Sequence, residues 1–199
     1  MADLLNNTNS NANNYGDDAI VTLSPREHIR LRPGMYVGVV GDGSQPDEAL
    51  YVLIKEVVDN SIDEFIMGAG RQIDITLADN VVTVRDYGRG IPLKSLAAAV
   101  GQMNTGGKYG GDAFKKTVGL NGVGVKAVNM LSEEFTARSV RDGEARTVTF
   151  AKGLEVSDRW ESGVNEKNGS SRTASTRRFS ANMPTTSNTS SRKSAITAT

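Results

Sequence analysis

Apolar residues first recur at helical spacing between residues 47 and 67. Leu50, Leu53, Ile54, Val57, Val58, Ile62, Phe65 and Ile66 form a broad stripe, which predicts a long helix. Asp47 is its expected N-cap and Gly68 its stop. A shorter helix is predicted upstream, where Ser24-Pro25-Arg26-Glu27 combines a capping box with proline at the first helical position. The period then changes to two. Ile73, Ile75 and Leu77 alternate with polar residues, Asp79-Asn80 supplies a turn, and residues 81–85 are rich in β-branched side chains, so a hairpin is expected. Helices follow at 93–103 and 122–131, the latter with Val125, Val128 and Leu131 inward. Residues 105–118 are rich in glycine and lysine and read as a mobile loop. Asp142-Gly143 between 135–140 and 146–150 is a second hairpin signal, and 154–160 a further strand. Helices and hairpins in this order predict an α+β sandwich, with helices packed on one face of a mixed β-sheet.

Composition trims this unit at both ends. The 199 residues are 38% hydrophobic, and the ends account for part of that low value. Residues 1–18 hold six asparagines and read as a flexible arm. Residues 169–199 hold eight serines, seven threonines, five basic residues and no acid. They read as a disordered Ser/Thr/Arg-rich tail, with a shifted reading frame or a basic extension as its two possible origins. The expected folded unit is therefore 19–168. Formal charge is zero overall, but residues 1–168 carry 18 basic against 23 acidic groups. That balance argues against a domain gripping nucleic acid through a broad basic surface. The absence of cysteine excludes a disulfide framework and thiolate metal sites. No apolar run reaches membrane-span length, so a cytoplasmic protein without a membrane partner is expected.

Candidate chemistry falls in three segments. On the long helix Glu56, Asn60 and Glu64 stand four residues apart, with Asp59 and Asp63 nearby, so all five share roughly one face. A solvated acidic face is the plain alternative, but a carboxylate beside an amide oxygen suits magnesium bound to phosphates. Asp86, Gly88 and Gly90 follow a strand directly. A carboxylate there can accept from an exocyclic amine, and glycines let backbone approach a ring; a tight turn would use the same residues. Gly119, Gly122 and Gly124 open a helix whose free N–H groups suit an anion, with Lys108 in the preceding loop. The pattern is not a Walker loop, since no Gly-Lys-Ser/Thr follows it.

The order of these segments resembles the GHKL, or Bergerat-fold, ATPases. Residues 32–38 (RPGMYVG), 105–109 (TGGKY) and 119–132 (GLNGVGVKAVNMLS) are similar to the ATPase subunit of bacterial type IIA topoisomerases, gyrase B or topoisomerase IV B. The resemblance implies an ATP-binding and hydrolysing domain that drives DNA strand passage. ATP and Mg2+ would be its cofactors. A second copy of the ATPase subunit, the DNA-cleaving A subunit, and DNA through the full-length complex would be its partners. Other readings are a passive, inactive fragment or another ATPase of the superfamily.

Carried over residue by residue, Glu56 becomes the general base and Asn60 the magnesium ligand. Asp86 takes the adenine amine, while Glu64 and Arg89 flank the base. Gly88, Gly90, Ile91, Pro92, Val57 and Met103 border the pocket. Lys108, Gly106 and Gly107, together with Gly119, Leu120, Asn121, Gly122, Val123 and Gly124, hold the phosphates. Tyr15 belongs to an arm that reaches a partner's nucleotide. The family's phosphate-contacting transducer lysine comes from a later domain, which implies slow hydrolysis by these residues alone. Two departures stand out. Tyr87 occupies a position that is often asparagine, which would reshape the pocket edge. Ser170 stands for a supporting threonine, and the strand expected after it is not legible in the sequence.

Overall fold

The computed structural model describes residues 20–41, 45, 48–106, 122–175 and 192–197, the last segment for its backbone only. Helix α1 (Pro25–Leu31) starts as its capping box dictates. The Ser24 hydroxyl accepts from the Glu27 amide at 3.3 Å, and the Glu27 carboxylate accepts from the Ser24 amide at 2.9 Å. A short helix α2 (Gly34–Val37) leads to the long α3 (Ala49–Ile66). The N-cap of α3 is Glu48 rather than Asp47, and it makes no side-chain capping bond. Its inward stripe runs through Leu50, Leu53 and Val57 to Ser61. Phe65 and Ile66, expected inside, are instead 40% and 45% exposed, in the last turn of the helix. The chain leaves α3 through Gly68 at φ 78°.

Strands β1 (Gln72–Ala78) and β2 (Val81–Asp86) pair across Asp79 and Asn80, both at positive φ, as a two-residue hairpin requires. The region predicted as one helix over 93–103 is a 3-10 turn (Leu93–Ser95) followed by α4 (Leu96–Gly101). Helix α5 (Gly124–Leu131) comes next. Strands β3 (Glu134–Arg141) and β4 (Glu144–Ala151) meet at Asp142-Gly143, again with positive φ at both residues. Strand β5 (Leu154–Ser162) adds to β4.

The boundary expected at residue 168 is overturned. Gly169–Ser175 is a strand, β6, and it lies between β3 and β2 in the middle of the sheet. Arg192–Thr197 forms β7 along the outer side of β1. The tail composition misled because β6 gains its place from cross-strand register, not from its own apolar content. Among the described residues the order is β5-β4-β3-β6-β2-β1-β7. Every pairing among these described strands is antiparallel, in place of the expected mixed sheet.

The sheet's two faces differ. Val82, Val84, Phe135, Ala137, Val148 and Phe150 are buried with Leu53, Val57, Leu96, Val100 and Val128 from the helices. The opposite face is polar. Thr76, Thr83, Thr173, Thr136 and Thr149 stand directly opposite one another across five consecutive strands. Hydroxyl pairs close at 3.0 Å between Thr83 and Thr173 and 3.2 Å between Thr136 and Thr149. Helices therefore cover one face, and the site forms where α3 crosses the end of β2.

Candidate nucleotide site

Asp86 ends β2 on the helix-facing side and is only 2% exposed. A carboxylate taken this far from water needs a full set of donors. Its Oδ1 accepts the Gly88 and Ser170 amides, each at 3.1 Å. Its Oδ2 accepts the Ser170 hydroxyl at 2.6 Å and Arg172 Nη1 at 3.4 Å. Arg172 Nη1 also lies 3.4 Å from the Ser61 hydroxyl on α3. Gly169 makes this approach possible. It sits at φ 139°, and a Cβ there would fall 2.2 Å from the Asp86 carbonyl oxygen.

The helix supplies the second wall. Asn60 Nδ2 donates to the Glu56 carbonyl at 2.6 Å, which orients the remaining amide oxygen as a hard donor. Among the described residues no group of three or more His, Cys, Asp or Glu converges as a metal cage. The chemistry of an amide oxygen suits magnesium, a hard cation that takes oxygen donors and keeps waters and phosphate oxygens as most of its ligands. One turn on, Glu64 receives Arg89 in a fork, with Nε at 3.1 Å and Nη2 at 2.9 Å, and also the Arg89 amide at 3.0 Å. This carboxylate raises the Arg89 pKa further above its ordinary value. Gly88 is required beside it, since a Cβ would meet Glu64 Oε2 at 2.8 Å. Asp59 does not join this face as expected: it is buried and ion-paired with Lys55 one turn back on the helix.

Glu56 faces the start of α5. A Cβ on Gly124 would stand 1.7 Å from Glu56 Oε2, so the carboxylate lies directly over the helix's first residue. Gly122 (φ 60°) and Val123 lead into that turn. The other flank is built by Gly90, Ile91 and Pro92. Gly90 turns at φ 74° against the Val140 carbonyl, the Ser139 hydroxyl donates to the Ile91 carbonyl at 2.7 Å, and Pro92 caps the 3-10 turn. Met103 is partly buried against the core, and Gly106 is the last described residue before the glycine-rich loop. Lys126 Nζ donates to the Thr105 carbonyl at 2.6 Å and ties α5 to that loop's start.

Tyr15, Gly107, Lys108, Gly119, Leu120 and Asn121 lie outside the described residues. Val57, expected as a pocket wall, is in the core beneath α3. Tyr87 turns away from the pocket. Its hydroxyl donates to Asp74 at 2.7 Å, and Arg85 lies 5.1 Å over its ring, all on the polar sheet face. That hydrogen bond, and then burial, raise the Tyr87 pKa. Arg172 escapes a sequence reading because it looks like one more basic tail residue. No hydrophobic alternation marks it in the sequence: the period of two in 170–174, with Ser170, Arg172 and Ala174 buried, comes from the fold.

A buried, hydrogen-bonded carboxylate at a strand end, facing a helix that offers a carboxylate and an amide, is the layout of an ATP-binding α+β sandwich. The chain belongs to the histidine kinase-, DNA gyrase B- and HSP90-like ATPase family, whose pattern it matches over residues 45–157. It is 55% identical over 146 residues to the B subunit of DNA topoisomerase 4 from Borreliella burgdorferi, covering 73% of this chain and 24% of that protein. It is 42% identical over 153 residues to the B subunit of DNA gyrase from Rickettsia conorii, covering 72% and 18%. The chain thus spans about a quarter or less of the length of these curated relatives.

Among solved structures it is similar to the 43K ATPase domain of Thermus thermophilus gyrase B, determined with an aminocoumarin. The TM-score is 0.64 at 26% identity, over 79% of this chain and 41% of that one. The ATPase region of Saccharomyces cerevisiae topoisomerase II shares the fold, with a TM-score of 0.71 at 21% identity, over 83% and 53%.

Proposed function

We propose that this chain supplies the ATP-binding and ATP-hydrolysing unit of the B subunit of a type IIA topoisomerase, working in the cytoplasm with magnesium. The observation that carries the reading is the Asp86–Ser170 pair at the end of β2, set opposite Glu56, Asn60 and Glu64 on α3. In this reading the adenine amine donates to Asp86. Arg89, steadied by Glu64, covers one side of the base. Asn60 contributes its amide oxygen to magnesium, which when bound neutralises phosphate charge. The amides opening α5 face the phosphates. Glu56, lying over Gly124, takes a proton from the attacking water.

Nucleotide capture would then close two copies of the ATPase subunit and couple, through the A subunit, to passage of DNA. The identities to the topoisomerase 4 and gyrase relatives support this assignment. Phosphate release from magnesium-ATP, measured beside Glu56→Gln, tests it. We expect slow turnover by the native chain and a loss of about 100-fold or more in the variant, the range of a removed general base. Equal rates in the two proteins would overturn the role of Glu56.

A further inference from the structure

Arg172 is a buried cation placed against the carboxylate that the proposed function assigns to the base. It is 5% exposed, and Asp86 is 2% exposed. An ionised carboxylate has about four acceptor positions. All four on Asp86 are taken: two by the Gly88 and Ser170 amides, one by the Ser170 hydroxyl, and one by Arg172. An incoming exocyclic amine must therefore displace a donor. The amides belong to the turn after β2 and to β6, so neither can leave without unpicking backbone. The Ser170 hydroxyl makes the shortest bond of the four, at 2.6 Å. Arg172 makes the longest, at 3.4 Å, through a flexible side chain whose other contact, with Ser61, is equally long.

We propose that Arg172 is an internal competitor for the acceptor position that recognises the base. Its guanidinium compensates the buried Asp86 charge and must yield when a nucleotide with an exocyclic amine enters. The residue thereby sets the affinity of the site without touching the phosphates. The proposal rests on the reading of Asp86 as the base-binding carboxylate.

Calorimetric titration of the full chain with a non-hydrolysable ATP analogue and magnesium tests it, run beside Arg172→Met and Arg172→Gln. Methionine keeps the apolar stem, and glutamine keeps a shorter, uncharged donor. We expect binding about tenfold tighter in Arg172→Met, comparable to one displaced hydrogen bond to a charged group. Arg172→Gln should fall between the two. The gain should vanish with the matching triphosphate of purine riboside, which lacks the amine. Equal or weaker binding by Arg172→Met would overturn the competitor role while leaving the Asp86 reading in place. A gain that persists without the amine would overturn it too, by showing a general effect on the fold. Failure of both variants to melt cooperatively would make Arg172 a structural requirement and reject the proposal. Absence of binding by all three folded proteins would remove the base-binding reading and the proposal together.

Discussion

Strands β2 and β6 lie side by side at the centre of the sheet, yet they are built in opposite ways. β2 sends Val82, Val84 and Asp86 toward the helices; β6 sends Ser170, Arg172 and Ala174. The first set is mostly apolar and would seek burial anywhere. The second contains no large apolar side chain. β6 is held by antiparallel ladders on both sides, by Thr173 in the threonine row, and by the Asp86 hydrogen bonds at its start. A strand can thus be specified by its neighbours and by one polar anchor. Packing reflects this. A small pocket under α3 is lined by Leu53, Ile54, Val57, Val82, Val128 and Ser132, and by Arg172, Ala174 and Ser175 from β6. The strand that completes the candidate site thus also borders a gap beside the core.

The largest expected break in this comparison is at the anchor. Gly169→Ala must place a Cβ 2.2 Å from the Asp86 carbonyl and 2.9 Å from Tyr87 Cα, at a φ of 139°. Both neighbours are backbone and cannot give way. We expect a loss of about 3 kcal/mol or more in chemical denaturation, with β6 detached from the site. A variant within about 0.5 kcal/mol of the native chain would mean that β6 is not anchored there.

Gly124→Ala should separate stability from chemistry. The three atoms nearest its Cβ would all belong to the Glu56 side chain, which would have to turn aside. The fold should lose less than about 1 kcal/mol. Phosphate release should fall about tenfold or more, as the carboxylate leaves its position over α5. Unchanged turnover would argue against Glu56 acting from that position. The smallest effect is expected at the cavity. Ala174→Val adds two methyl groups beside the small pocket under α3 and should raise stability by about 0.5–1 kcal/mol, read as a higher denaturation midpoint. A drop of that size would show that the wall cannot accommodate the added volume.

The helix side of the candidate site is legible in the residue pattern. The spacing of Glu56, Asn60 and Glu64 survives because helical period by itself puts them on one face. Both hairpin turns are legible because Asp79-Asn80 and Asp142-Gly143 tolerate positive φ. What escapes depends on contacts that the motif pattern does not carry. Asp59 looks like part of the acidic face, but Lys55 claims it. Tyr87 looks like a pocket residue, but Asp74, on the neighbouring strand, takes its hydroxyl. Residues 169–175 look like tail because no local pattern signals a strand whose burial comes from the elements around it. Ser170 stands out only through family resemblance. Arg172 has no counterpart among the motifs and emerges from the register of β6 against β2.

The central claim is that Asp86 anchors a nucleotide through its base. Titration of a non-hydrolysable ATP analogue with magnesium into the native chain and into Asp86→Asn tests it most directly. We predict saturable binding by the native chain and none detectable in the variant, with both proteins melting cooperatively. Equal affinity in the two proteins would contradict the claim, because the carboxylate at the heart of the site would then be dispensable for recognition.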